Sequence, residues 1–338
     1  MNNSRRMRKE KKKSKKLKII LITILFIILF LSGFGLFYVY NTLGKVDKTP
    51  ISQSNSDLGI GKDILDKTAD KDNIINIALY GVDSRSEKDR GRSDSIIVLT
   101  VDKKHKKLKM TSIMRDSYVN IDGHGKDKIN HAYAFGGPQL AIKTLNQNFG
   151  LNIKDFVTVD FGNMEDIIDA MGGIILKIRD DEVKYVNASV DEQSALRHVS
   201  PRHIAGSGTQ QVDGMQALAY SRIRSTSGGD FERTDRQRIV LEALFNKIKN
   251  AGLTQYPSIV NKLSPYVTTS FSSTDMLKLG TDVFTSGMST IEQERFPLDG
   301  YSKGGLINKI WYLQYDEAAT KEQIYKYIFE DIKPTQKK

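Results

Sequence analysis

Cysteine is absent from all 338 residues. That excludes disulfide staples, a thiolate nucleophile and a cysteine-linked lipid anchor, so packing alone must hold any folded body together. The short motifs of common hydrolases and nucleotide enzymes are missing too: there is no G-x-x-x-x-G-K-[ST], no G-x-S-x-G and no H-E-x-x-H. Charge is lacking from residues 19–40, "IILITILFIILFLSGFGLFYVY", a run long enough to cross a hydrocarbon core of ~30 Å as a helix. No A-x-A pattern follows it, which favours a retained anchor over a cleaved signal peptide.

What is present begins with a basic block. Residues 1–18 hold ten Lys and Arg against Glu10, a net of +9, while the other 320 residues balance 41 basic against 39 acidic side chains. The positive-inside rule then leaves residues 1–18 in the cytoplasm and places everything after residue 40 outside, with Phe37, Tyr38 and Tyr40 near the outer interface. A polybasic segment beside a span suits anionic membrane lipid. It carries no aromatic residue and no base-reading module, so no nucleic acid partner is expected. A composition rich in Lys, Ile and Asn fits a Gram-positive bacterium with a single membrane.

Residues 41–72 are polar and weakly periodic, and read as a stalk with one short helix. Order is expected from residue 73. Strand patterns occupy 74–80, 93–102, 107–116, 156–161 and 174–178, and helical spacing covers 129–148, 163–173, 212–224 and 235–250. Asp235 is placed to favour the amino end of the last of these helices. Residues 179–210 read as irregular. Further helices are expected over 254–290, then a strand, a turn and a strand or short helix over 295–316, and a closing helix over 316–331. The alternation predicts one α/β domain, residues 73–338, with a central mixed β-sheet flanked by helices and preceded by a single transmembrane helix.

Three polar clusters sit at predicted element ends. In "YGVDSRSEKDRGRSDS", Asp83 and Arg85 follow one strand while Arg92 and Asp94 precede the next. If those strands pair, the two aspartates share one end of the sheet, where they could hold Mg²⁺ with substrate oxygens, or simply cap turn amides. In "SIMRDSYV" a strand ends in Arg115 and Asp116, either a structural ion pair or part of a site. "KINHAYAFGG" adds Lys128, Asn130 and His131 at a helix start, with His131 better read as structural. The third cluster, "YSRIRSTSGGDFERTDRQR", holds Arg222, Arg224, Arg233, Arg236 and Arg238. Asp230, Glu232 and Asp235 could neutralise three of them along a solvated helix face. Alternatively, two arginine pairs across a Ser/Thr/Gly loop form a clamp for a diphosphate, because the guanidinium fork matches phosphate oxygens two at a time. Arginines for an anion, aspartates for a divalent cation and a location outside ATP's reach point to phosphoryl transfer from a lipid-linked diphosphate.

The order "D-S-R…GRSDS", "SIMRDSYV", "KINHAYAFGG", "MGGI", "VDGMQALAYSRIR" and "D-x-x-R-T-x-RQ" resembles the LytR-CpsA-Psr family of cell-wall glycopolymer ligases, over about residues 73–249. The resemblance implies transfer of a glycopolymer, such as teichoic acid or capsule, from a polyprenyl diphosphate carrier to peptidoglycan, as a phosphodiester at the C6 hydroxyl of N-acetylmuramic acid. It implies Mg²⁺ or Mn²⁺ at Asp83 and Asp94, and a diphosphate surrounded by Arg85, Arg92, Arg115, Arg222 and Arg224. Arg233, Arg236 and Gln237 belong to the same motif, and Asp230 falls where a carboxylate approaches the arginines. Asp116 or Asp230 would accept the acceptor's proton, and Lys128 would contact substrate. The lipid tail would lie between sheet and helices, with Ile168, Ile239, Val240, Ala243 and Leu244 as candidate lining. Two competing readings remain at this point: a membrane-bound regulator that senses the envelope, and a lipid-diphosphate pyrophosphatase using water as acceptor.

Overall fold

The computed structural model describes residues 40–41, 44–71, 73–84, 90–226, 229–252, 255–288 and 290–337. The expected span, all but Tyr40, and the basic tail therefore lie outside the described residues, as does Arg85. Among the described residues no helix is long and apolar enough to cross a membrane.

In chain order the elements are β1 (Asp47–Lys48), α1 (Lys62–Thr68), β2 (Ile74–Asp83), β3 (Arg92–Asp102), β4 (Lys107–Ile113), β5 (Tyr118–Ile121), β6 (Gly125–Lys128), α2 (His131–Phe149), β7 (Asp155–Asp160) and α3 (Phe161–Ala170). There follow β8 (Ile174–Ile178), α4 (Asp180–Leu196), β9 (Gly208–Val212), α5 (Gly214–Arg222), α6 (Gly229–Asn250), α7 (Tyr256–Leu263), β10 (Thr268–Thr269) and α8 (Ser273–Thr285). The chain closes with β11 (Thr290–Phe296), β12 (Ser302–Ile307), β13 (Ile310–Tyr315) and α9 (Glu317–Phe329).

Seven strands form one mixed sheet in the order β1-β10-β7-β2-β3-β4-β11. Strands β2, β4, β7 and β11 run parallel in direction and β3 runs against them. Strands buried on both faces read as continuous apolar runs, which is why "IINIALYGV" and "SIIVLTV" do not alternate cleanly. One face packs on α1, α2 and α9 through Ala78, Tyr80, Val98, Ile142, Phe149 and Ile324. On the other side a second apolar cluster joins α3, α4, α5 and α6 through Ile168, Val186, Ala219, Tyr220, Val240 and Leu244, and a third sits under α8.

Two expectations fail. Residues 41–72 are no stalk: β1 pairs with β10 at the sheet edge, and Leu58, Ile60 and Ile64 are buried in the first core. Each such side chain contributes about 1.5–3 kcal/mol by leaving water, so the folded body starts before residue 73. Residues 179–210 are not irregular either, since α4 fills 180–196. Glu182 Oε2 fixes its start by accepting the Arg179 backbone N–H at 2.9 Å, and Val186 and Val190 bury its inner face.

Candidate functional site

Because β2, β4, β7 and β11 point the same way, their carboxyl ends and the amino end of β3 meet at one end of the sheet, the usual place for ligands in open α/β sheets. The first two polar clusters converge there. Asp83 and Arg92 face each other as a cross-strand pair. Gly81 pairs with Ser95 and Val82 with Ser93, which leaves Asp94 as the extra residue of a bulge. A bulge frees a side chain from the strand's alternation and re-aims it. Close behind, Gly91 holds a left-handed φ of 67°, and a Cβ there would stand 2.5 Å from the Asp83 carbonyl oxygen, so only glycine lets the loop return so tightly.

Asp94 Oδ1 receives Arg115 Nη1 at 2.8 Å and Asn130 Nδ2 at 3.1 Å. Asn130 also donates its backbone N–H to the Arg115 carbonyl, fastening the start of α2 to the end of β4. Asp116 is buried between two cations, with Lys128 Nζ 2.6 Å from Oδ1 and Arg115 Nε 3.4 Å from Oδ2. His131 Nδ1 bonds Asp127 Oδ2 at 2.7 Å, the structural role expected of it. Burial alone would raise the Asp127 carboxyl, yet the bonds from His131 and the Lys128 backbone hold it below its ordinary value. Asp160, which sequence reasoning passed over, caps α3 through the Gly162 N–H and receives the Ser84 N–H and hydroxyl, so it anchors the chain just beyond Asp83.

The arginine segment divides into three kinds. Arg222 ends α5, and Ile223 then turns extended (φ −57°, ψ 127°) and buries its side chain, so Arg222 and Arg224 both project outward, exposed. That is the shared direction expected for an i, i+2 pair beyond a helix end. Arg233 and Gln237 are buried on α6. Arg236 corrects the sequence reading: expected among the residues around the diphosphate, it is 2% exposed and engaged with protein. Its Nε meets Glu182 Oε1 at 2.9 Å, Nη1 donates to the Ile223 carbonyl at 3.0 Å, and Nη2 reaches Thr226 Oγ1 at 2.6 Å and Glu232 Oε2 at 2.7 Å. It is a latch that fixes the Arg222–Arg224 turn. Burial pushes the nearby Tyr220 hydroxyl up to about 12, so the phenol stays neutral there.

Helix α6 begins at Gly229, earlier than expected, so Asp235 lies past its first turn and pairs with Arg238 rather than serving its amino end. Asp230 falls in that first turn, and its side chain is outside the described atoms. Thr234 Oγ1 donates to Met114 Sδ at 3.8 Å, which sets the arginine-bearing end of α6 against the end of β4, beside Arg115. Of the candidate lipid-tail residues, Ile168, Val240 and Leu244 belong to the second apolar cluster, Ala243 packs against it and Ile239 is exposed.

A hard cation fits the donors at Asp94. Asp94 offers carboxylate oxygens there, and among the described residues the adjacent Asn130 Oδ1 is a buried acceptor without a donor. A different trio, Asp102, His105 and Asp331, brings its ligand atoms within 4.8 Å of one another at the opposite end of the sheet. The buried Lys109 ammonium already fills that place, 2.9 Å from Asp331 and 3.3 Å from Asp102.

Comparison with known proteins accords with this geometry. The LytR_cpsA_psr family model matches residues 34–328. A curated relative from Oceanobacillus iheyensis, the polyisoprenyl-teichoic acid–peptidoglycan teichoic acid transferase TagU, is 35% identical over 297 residues, covering 85% of each chain. Among solved structures, TagT bound to LI-WTA superposes with a TM-score of 0.61 at 27% identity, over 77% of this chain and 91% of that one. The LytR-CPS2A-psr family protein YwtF (TagT) with bound octaprenyl pyrophosphate lipid gives 0.57 at 26%, over 76% and 91%.

Proposed function

The chain belongs to the LytR_cpsA_psr family, and on that premise we propose that it is a phosphotransferase that moves an anionic glycopolymer from a polyprenyl diphosphate carrier to peptidoglycan. The observation that carries this reading is the outward pair Arg222 and Arg224, whose turn is latched by Arg236 of α6, the helix whose Thr234 bonds Met114, next to Arg115 at the carboxyl end of the sheet.

In this reading Arg222, Arg224, Arg115, Arg92 and Arg85 bind the diphosphate, and Arg233 and Gln237 support them from α6. The acceptor hydroxyl, at C6 of N-acetylmuramic acid, forms a bond to the sugar-linked phosphorus. The bond from that phosphorus to the bridging oxygen breaks, and polyprenyl phosphate leaves with the electron pair. Asp230, in the first turn of α6, takes the acceptor's proton. Asp116, held by Lys128 and Arg115, orients both cations rather than serving as base. Asp83 and Asp94 would hold Mg²⁺ or Mn²⁺, which when bound would neutralise charge on the diphosphate. The half-buried Leu79, Leu99, Val157 and Val159, on the sheet face beneath the second apolar cluster, offer an apolar bed for the polyprenyl tail. Residues 19–40 anchor the enzyme as a single membrane span with the catalytic body outside.

The test incubates the full-length chain in detergent with a polyprenyl-diphosphate-linked sugar, peptidoglycan strands and Mg²⁺. A phosphodiester product is expected, with Arg222→Ala and Asp94→Asn each lowering kcat/KM about 10³-fold or more. Sugar phosphate released without transfer would replace the ligase with a pyrophosphatase. Tight donor binding with no turnover would replace it with a sensor.

A further inference from the structure

The hairpin β12–β13 lies outside the motifs above and yet meets the site directly. The Leu313 N–H donates to the Asp116 carbonyl at 2.9 Å, and Lys128 Nζ, bonded to the Asp116 carboxylate, lies 6.0 Å from the Trp311 ring and 5.8 Å from that of Tyr312. Tyr312 is buried against Tyr118, with centroids 4.7 Å apart. Trp311 is not buried. It pairs across the hairpin with Leu306, and these two residues are 41% and 71% exposed. A Cβ on Gly304 would stand 2.6 Å from the indole, so the ring lies flat across a glycine that has no side chain to lift it. The ring thus lies against the Gly304 backbone with Lys128 Nζ over it, and 41% of the residue stays exposed.

The geometry points to the Trp311–Leu306 face as a platform for the glycan strand of the acceptor, a role that rests on the transferase reading. The C–H groups of a pyranose face form an apolar plate that matches the exposed part of the indole and the neighbouring Leu306 side chain. The hairpin sequence "SKGGLINKIWYLQY" carries two lysines and no carboxylate, which suits a strand bearing acidic stem peptides. Its position argues against a membrane-surface role: the hairpin follows β11 and bridges to Ser117 just after β4, whereas the chain arrives from residue 40 at β1, the opposite edge of the sheet. The platform therefore guides the acceptor hydroxyl toward Lys128 and Asp116 from the side away from the anchor.

Trp311 is the only tryptophan in the chain, so its fluorescence reports on this face alone. Titration of the full-length chain in detergent with uncrosslinked peptidoglycan strands should give a saturable blue shift. Trp311→Ala should raise KM for the strands about tenfold with kcat nearly unchanged, and Trp311→Phe should recover most of that loss. Strands that leave the emission unmoved, or an unaltered KM in Trp311→Ala, would overturn the platform. A shift produced by phosphatidylglycerol vesicles but not by strands would make the hairpin a membrane contact instead. Normal transfer by Trp311→Ala would remove the platform and leave the transferase standing. Absence of transfer in the wild type would remove the transferase, while the emission titration would still report whether strands bind.

Discussion

The two ends of the seven-stranded sheet use the same residue types to opposite effect. At the end where β4 starts, Lys109 is wholly buried, ion-paired with Asp102 and Asp331, and donates to the Tyr327 carbonyl at 2.8 Å. Lys107 bridges Asp331 at 2.7 Å and Glu292 at 2.9 Å, and His105 Nδ1 lies 2.7 Å from Asp102. The buried and half-buried charges named there each meet an opposite one. At the end where β4 finishes, Arg222, Arg224 and Asp83 face solvent, and Asn130 Oδ1 and Ser93 Oγ are buried acceptors without partners among the described residues. An ion-pair cluster closed on itself holds the fold, whereas buried polar atoms such as Asn130 Oδ1, left without a hydrogen-bond partner at a ligand-binding sheet end, suit a bound group.

The sharpest way to break this contrast is to remove one cation from each end. Lys109→Ala takes the buried ammonium from the fully buried Asp102, leaving it only His105, and should cost about 3–5 kcal/mol in denaturant unfolding, with the turnover of the remaining folded enzyme intact. Arg222→Ala should do the reverse, abolishing transfer while the unfolding midpoint stays put. Equal loss of stability in both variants would erase the distinction. Arg236 tests the boundary between the two behaviours, because it is a closed charge that positions open ones. Arg236→Met takes from the buried Glu182 its closer guanidinium, leaving Arg179 Nη2 at 3.4 Å, and should lower stability by about 2–3 kcal/mol. It should also reduce kcat some tenfold through the Arg222–Arg224 turn, and Arg236→Lys should not restore it, since one ammonium cannot reproduce the fork's four contacts.

The smallest effect is expected in acid. Glu232 is held below its ordinary value near 4.5, first by a hydrogen bond with Thr226 and then by Arg179 and Arg236. A depressed carboxyl contributes stability that is complete above the unfolded value and is lost as pH falls through the folded one. The urea midpoint should therefore hold steady down to about pH 4.5 and decline below it. Glu232→Gln should be less stable at neutral pH and show a shallower acid decline.

The site was more legible in the sequence than the scaffold around it. Asp83, Asp94, Arg115 and Asp116 could be placed because apolar strand runs stop abruptly at them, and strand ends are where a sheet presents side chains to a ligand. The fate of Arg236 was hidden, since its partner Glu182 lies on α4, fifty-four residues away. Helix α4 itself was missed because Val183, Val186 and Val190 are sparse among acids and amides, although Asp180, Asp181 and Glu182 in the first turn were a start signal. Lys109 reads as the outward position of an alternating strand, and only the packing of α9 over that face buries it. Leu58, Ile60 and Ile64 failed for the same reason: a polar stretch with three well-placed apolar residues is recognisable as core only when the surface that receives them is known.

The two-residue strand β1 also decides where the folded body begins. A random coil the length of residues 41–72 would act as a spring with a root-mean-square reach of about 30 Å. With Asp47 and Lys48 stitched to Thr268 and Thr269, no such spring separates residue 47 from the body. On the proposed anchoring through residues 19–40, the body is joined by residue 47, so its tether is shorter than a coil of residues 41–72 would make it.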